Sequence, residues 1–183
     1  MPEALHAHHR LGGEEVEVLL PAEALRARVE EIGREITRDY AGRPLVLVGV
    51  LKGALVFLAD LMRAIDLPLG LDFVGLSSYV GAGTSGKVAL TSDLTRPIEG
   101  KDVILVEDIV DTGLTLHWLL ARLRERGPAS VAVCALLVKP ARARVEVPVR
   151  YRGFEIADEF VVGYGLDHDG RMRNLPYVGV VKG

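Results

Sequence analysis

Residues 103–116 read "VILVEDIVDTGLTL". Four apolar residues, Val103 to Val106, run into two acids, Glu107 and Asp108. A third acid, Asp111, follows, and Thr112-Gly113-Leu114-Thr115 then opens a helical pattern. A short continuous apolar run marks a strand buried on both faces, which is the condition of a strand inside a parallel sheet. The turn after it suits an anion. The first N–H groups of a helix lack partners within the helix, and the helix dipole is positive there. Gly113 lets the backbone come close, and Thr112 and Thr115 add hydroxyl donors.

The same alternation extends outward. Leu25, Val29, Ile32, Ile36 and Tyr40 form one apolar stripe and predict a helix over 22–40, stopped by Gly42 and Pro44. "LVLVGV" (45–50) is another buried strand. "LKGALVFLADLMRAI" (51–65) turns into a helix with Phe57, Leu58, Leu61, Met62 and Ile65 inward, broken by Asp66 to Gly70. "LDFVGLSSY" (71–79) reads as a strand, "VGAGTSG" (80–86) as a flexible loop and "KVALT" (87–91) as a short strand. After 103–116 come a helix ended by Gly127-Pro128 and a buried strand, "SVAVCALLV" (130–138). Short strand-like pieces follow at 145–151, 160–165 and 177–182. Strands alternating with helices predict an α/β fold, a mainly parallel twisted sheet flanked by helices, in a single domain over 1–183. Ligands of such sheets bind beyond the carboxyl ends of the strands, and the C-terminal pieces are expected to form a small irregular hood over that edge. Residues 1–15 read as a loosely ordered leader. Its His6, His8 and His9 have no supporting ligands for a metal site.

Composition removes other classes. A net charge of −3 gives no support to nucleic-acid binding, which requires a basic face. No apolar run approaches a membrane span, and the N-terminus lacks the apolar core of a signal peptide, so the expectation is a cytoplasmic protein. Cys134 is the one cysteine and lies in an apolar run, as a core thiol does.

Three carboxylates beside an anion turn would repel a bare phosphate. A ribose phosphate reconciles them: vicinal hydroxyls donate hydrogen bonds to carboxylates, which also attract Mg²⁺. In this respect the stretch resembles the phosphoribosyl-diphosphate (PRPP) signature of type I phosphoribosyltransferases, most of all their hypoxanthine-guanine branch. "LKGA" (51–54), "SSY" (77–79), Lys139 and "FVVGYGLDHDGRMRNLPYVGVV" (160–181) match that family in order and approximate spacing.

The resemblance implies the type I phosphoribosyltransferase fold and a role for each matching residue. Glu107 and Asp108 bind the ribose hydroxyls with Mg²⁺ close by, Mn²⁺ being a substitute. Asp111 is the general acid/base beside N7 of the purine, and Asp111, Thr112, Gly113, Leu114 and Thr115 wrap the 5′-phosphate, Leu114 through its backbone alone. Leu51, Lys52 and Gly53 form a pyrophosphate loop, where the family often has a non-proline cis peptide. Arg173 also contacts pyrophosphate. Ser78 and Tyr79 belong to a mobile lid. Lys139 hydrogen-bonds the purine 6-oxo group, Phe160 stacks on the ring, Val161 offers backbone groups, and Asp167 ligates a second Mg²⁺. Residues 160–181 are then the purine-binding segment and hood.

The implied activity is purine salvage: PRPP with hypoxanthine or guanine gives IMP or GMP plus pyrophosphate, in a homodimer or homotetramer. Alternatives are a xanthine-preferring enzyme, a nucleotide-sensing regulator of the same fold, and a metal-dependent phosphohydrolase. The regulator is disfavoured by the retained Asp111 and the acidic net charge. The hydrolase lacks a His/Asp metal constellation.

Overall fold

The computed structural model describes the backbone of residues 8–11, 14–81 and 84–182, and the side chains of 14–76 and 89–182. In chain order the elements are β1 (His8–Leu11), β2 (Glu14–Leu20), α1 (Ala22–Asp39), β3 (Leu45–Leu51), α2 (Leu55–Ala64), β4 (Leu69–Gly81), β5 (Thr84–Ser92) and β6 (Asp102–Val110). Then come α3 (Leu114–Arg124), β7 (Ser130–Val138), β8 (Tyr151–Glu155), β9 (Val161–Val162) and β10 (Val178–Lys182).

Six strands form the main sheet in the order β5-β4-β3-β6-β7-β8, parallel throughout except for β4–β5. Its central strands are buried on both faces because their side chains alternate between two cores. Leu45, Leu47, Ile104 and Val106 join the stripe of α1 and the inner face of α2. Val46, Val48, Val50, Val103 and Leu105 join Leu116, Leu119, Leu120 and Leu123 of α3. The expected α/β sheet between helical layers is therefore present, with α1 and α2 on one face and α3 on the other. The stripe that predicted α1 is wholly buried, and the buried thiol of Cys134 is pushed up by desolvation. No helix among the described residues is long and apolar enough to cross a membrane.

Several local expectations are corrected. Met62 points out and is 36% exposed, because α2 meets the sheet through Phe57, Leu58 and Leu61 alone. Strand β6 does not stop at the acids but runs on to Val110, since Ile109 and Val110 still pair with Leu137 and Val138 of β7. Within the stretch 80–86, β4 continues to Gly81 and β5 begins at Thr84, paired antiparallel, while 82–83 lie outside the described residues. The piece 145–150 forms no regular element and holds Pro148, and only Tyr151 enters β8, where pairing with Cys134 begins. Within the stretch read as a loose leader, residues 8–11 and 14–15 are strand, while 1–7 and 12–13 lie outside the described residues. β1 and β2 combine with β10 and β9 in a second, antiparallel sheet ordered β1-β2-β10-β9. The hood is thus built by both ends of the chain, not by the C-terminal region alone.

Candidate active site

The carboxyl ends of β3, β6 and β7 meet beneath the hood. Successive residues of a strand face opposite ways, and β6 uses this to divide its two acids. Glu107 lines a cavity of about 160 Å³ with Asp111, Thr112, Gly113 and Thr115. It is 8% exposed, and its Oε2 is buried without a hydrogen-bond partner. Burial, and secondarily the charge of Asp108, hold its carboxyl well above the usual range. Asp108 faces the turn after β3: its carboxylate occupies the space a Cβ would take at Gly53, and would have to move to admit any side chain there. Its Oδ1 accepts the Ile109 N–H at 2.8 Å. Burial raises its pKa, backbone donors and the Arg173 charge work against that, and Asp167 adds to it.

The turn after β6 is the expected anion cradle in shape. Gly113 caps α3 with φ +79°, a left-handed conformation, and a Cβ there would strike the Val145 carbonyl. The Thr112 carbonyl accepts the N–H groups of Arg144 at 3.0 Å and Val145 at 3.2 Å, so the chain after β7 braces this turn. The Leu114 side chain is exposed, which leaves its backbone to the turn.

Across the sheet end, the Leu51–Lys52 peptide is cis, and Lys52 is exposed at the start of the turn. The hood closes on this turn, Gly165 packing against the Gly53 carbonyl. Arg173 donates through Nη1 to the Gly165 carbonyl at 2.6 Å and pairs through Nη2 with Asp167 at 2.6 Å. Leu51, Lys52, Gly53, Asp108, Asp167 and Arg173 are therefore brought together. The Tyr164 hydroxyl ties the same loop to α2, donating to Asp60 at 2.6 Å.

The other expected residues lie along the β7 side and the hood. Lys139 follows β7, its side chain 11% exposed and 3.5 Å from Asp158. Phe160 is not core: it is 55% exposed, with the His168 ring edge-on at 5.2 Å. Val161 is buried in β9. Ser78 and Tyr79 belong to β4, and their side chains lie outside the described residues.

Two side chains were missed from sequence. Arg142 pairs with Asp111 at 2.9 Å, and Asp158 stands between Arg142 and Lys139. The one local signal for Arg142 is the spacing Lys139-Pro140-Ala141-Arg142, two cations on one short turn. A further cavity of about 350 Å³ lies between Asp111, Lys139 and Glu155. A larger one of about 590 Å³ opens beyond Arg173, between α1 and α2, and contains none of the acids on β6. No cluster of three or more His, Cys, Asp or Glu among the described residues would hold an ion unaided. One or two carboxylates completed by substrate oxygens are how magnesium is usually held; Glu107, with its unpartnered Oε2, and the adjoining Asp108 fit that donor set, whereas Asp167 already pairs with Arg173 and accepts the Gly170 N–H at 2.7 Å.

Similarity to known proteins agrees with this geometry. Residues 15–169 match the model of the phosphoribosyl transferase domain. The chain is 50% identical to the hypoxanthine-guanine phosphoribosyltransferase of Mycobacterium avium, over 90% of this chain and 84% of that one. It is 49% identical to the hypoxanthine phosphoribosyltransferase of Salmonella typhimurium, over 91% and 95%. A crystal structure of the hypoxanthine phosphoribosyltransferase of Staphylococcus aureus superposes with TM-score 0.87 at 45% identity, covering 91% of each chain. The chain belongs to the phosphoribosyltransferase family, in its hypoxanthine-guanine branch.

Proposed function

We propose that this chain carries out the purine-salvage reaction of its branch (EC 2.4.2.8). It moves the 5-phosphoribosyl group of PRPP to hypoxanthine or guanine and releases IMP or GMP with pyrophosphate. The observation that carries this reading is Glu107, a buried carboxylate oxygen with no protein partner beside a helix-end anion cradle. Buried polar atoms left unpaired are few and call for an explanation, and ribose hydroxyls are donors of the right kind.

In this reading Glu107 and Asp108 accept the ribose hydroxyls, and the turn Asp111–Thr115 holds the 5′-phosphate. Lys52, Gly53 and Arg173 hold the pyrophosphate as the bond to C1 breaks and the ring approaches an oxocarbenium ion. Asp111 accepts or hydrogen-bonds the proton on the purine imidazole. Lys139 donates to the 6-oxo group, Phe160 stacks on the ring and Val161 meets its edge through the backbone. Ser78 and Tyr79 exclude water from the reacting centre. Glu107 and Asp108 would stand beside one Mg²⁺ or Mn²⁺ and Asp167 would hold a second, and such metal supplies neutralisation of leaving-group charge when bound. The setting is cytoplasmic, and the assembly a homodimer or homotetramer.

A turnover assay with PRPP, Mg²⁺ and a panel of purines tests the reading. Hypoxanthine and guanine should be consumed and adenine rejected by about 10⁴-fold. Against adenine the Lys139 ammonium, which has donors and no acceptor, faces another donor. Equal use of adenine and hypoxanthine would remove Lys139 from the pocket, and no nucleotide from any purine would end the proposal.

A further inference from the structure

Four charges alternate along the β7 side of the site. Arg142 Nε donates to Asp111 Oδ1 at 2.9 Å, while its Nη2 is 3.4 Å from Oδ2. Nη1 of the same guanidinium lies 3.6 Å from Asp158 Oδ2, and the other oxygen of Asp158 lies 3.5 Å from Lys139 Nζ. The turn that carries Arg142 is tied down on both sides. The Lys139 N–H donates to the Val110 carbonyl at 2.9 Å, and the Arg144 N–H donates to the Thr112 carbonyl at 3.0 Å. Between these ties the Arg142 N–H closes a short turn on the Lys139 carbonyl at 3.1 Å. The guanidinium is thus delivered to Asp111 by a segment anchored to the turn that Asp111 begins.

We infer that Arg142 is a positioning residue for the transfer reaction, holding Asp111 tightly by Oδ1 and loosely by Oδ2, so that Oδ2 can also meet the purine imidazole. The inference rests on the reading of Asp111 as the group that meets that ring. An aspartate carboxylate turns broadly about its last torsion. A proton acceptor must nevertheless sit within about 3 Å of its proton donor to act. The fork of Arg142 is rigid and planar. Its Nε hydrogen bond to Oδ1, at 2.9 Å, is the short one and its Nη2 hydrogen bond to Oδ2, at 3.4 Å, the long and weaker one, so Oδ2 is the oxygen more readily shared with another donor. A carboxylate has about four acceptor positions, enough for guanidinium and purine together. Asp158 holds the far side of the guanidinium and also faces Lys139. One acid therefore aligns both groups that read the purine.

The pair is 45% and 41% exposed in the free protein, where such contacts contribute little. Substrates that exclude water strengthen it. The effect of Arg142 accordingly falls on turnover rather than on folding.

The test is a kinetic cycle. Arg142→Met and Arg142→Lys are made in the wild-type and in the Asp111→Asn protein, and kcat and KM for hypoxanthine and PRPP are measured at saturating Mg²⁺. Asp111→Asn alone should lower kcat by about 10²–10⁴-fold. Arg142→Met should lower kcat about fivefold with both KM values within about twofold, and Arg142→Lys should recover part of the loss. In Asp111→Asn, removing Arg142 should cost less than about twofold more, because residues that act through one another are not additive. Full kcat in Arg142→Met overturns the inference, as does a loss that multiplies undiminished in Asp111→Asn. A rise in the PRPP KM with kcat unchanged also overturns it, by making Arg142 a phosphate contact. Full kcat in Asp111→Asn is the separate failure, of the role given to Asp111 itself.

Discussion

Among the described residues three acids of the main sheet are buried, and they are satisfied differently. At the amino end, Asp102 on β6 is 2% exposed and takes the guanidinium of Arg43 and the hydroxyl of Ser130. Asp72, on β4, is 6% exposed and accepts the N–H groups of Phe73 at 2.9 Å, Thr95 at 2.8 Å and Arg96 at 3.1 Å, with the Thr95 hydroxyl as well. At the carboxyl end Glu107 is equally buried, yet its Oε2 has no partner. The first two acids are satisfied by the fold, and in the proposed function the third is satisfied by a ligand. Burial alone does not separate them, since all three lie under 9% exposed. What separates them is whether the protein itself supplies the donors.

That contrast can be broken in three places. The largest effect expected is on turnover when divalent metal is stripped. Excess chelator should abolish activity, and Asp167→Ala should raise the metal concentration needed to restore it. The melting temperature of the free protein should not move, because the acids at the amino end are satisfied by the protein alone. Full activity in chelator would refute the metal assignment.

A second effect falls on stability. Asp72→Ala leaves at least two backbone N–H groups without their acceptor, and should destabilise by about 3 kcal/mol. For a chain of this size that corresponds to a fall in melting temperature of about 6–12 °C. Turnover well below the transition should persist. A change under about 1 kcal/mol would show that water replaces the carboxylate freely.

The smallest effect has the opposite sign. Glu107→Gln should stabilise the metal-free protein at neutral pH by about 1 kcal/mol, because it removes a buried group that resists ionising, while turnover falls. The pH dependence follows from linkage. Glu107 holds its proton more tightly folded than unfolded, so its contribution is fullest below the unfolded carboxylate range and declines as pH rises through and above it. Melting temperatures of the two proteins should therefore nearly coincide at about pH 4 and diverge toward pH 7, the variant lying higher. A difference that is constant with pH would mean that Glu107 is solvated in solution.

Much of this molecule is written in short-range pattern. The stripe Leu25, Val29, Ile32, Ile36 and Tyr40 specifies α1, and the apolar runs at 45–50, 103–106 and 130–138 specify strands. The strand–turn–helix at 103–116 places three acids beside an anion cradle before any contact is known. These signals are legible because strand and helix periods repeat within a few residues. What only the folded chain decides are meetings between distant segments. Strand β2 joins β10 in the hood, although nothing local to Glu14–Leu20 marks a partner some 160 positions away. Strand β8 begins at Tyr151 rather than in the more strand-like run before it, because pairing with β7 sets its register. Gly165 rests on Gly53, and Arg142 reaches Asp111 across 31 positions. Periodicity records which face of an element is apolar, but which faces and charges meet depends on how the elements dock, a contact between surfaces that no single stretch of chain contains.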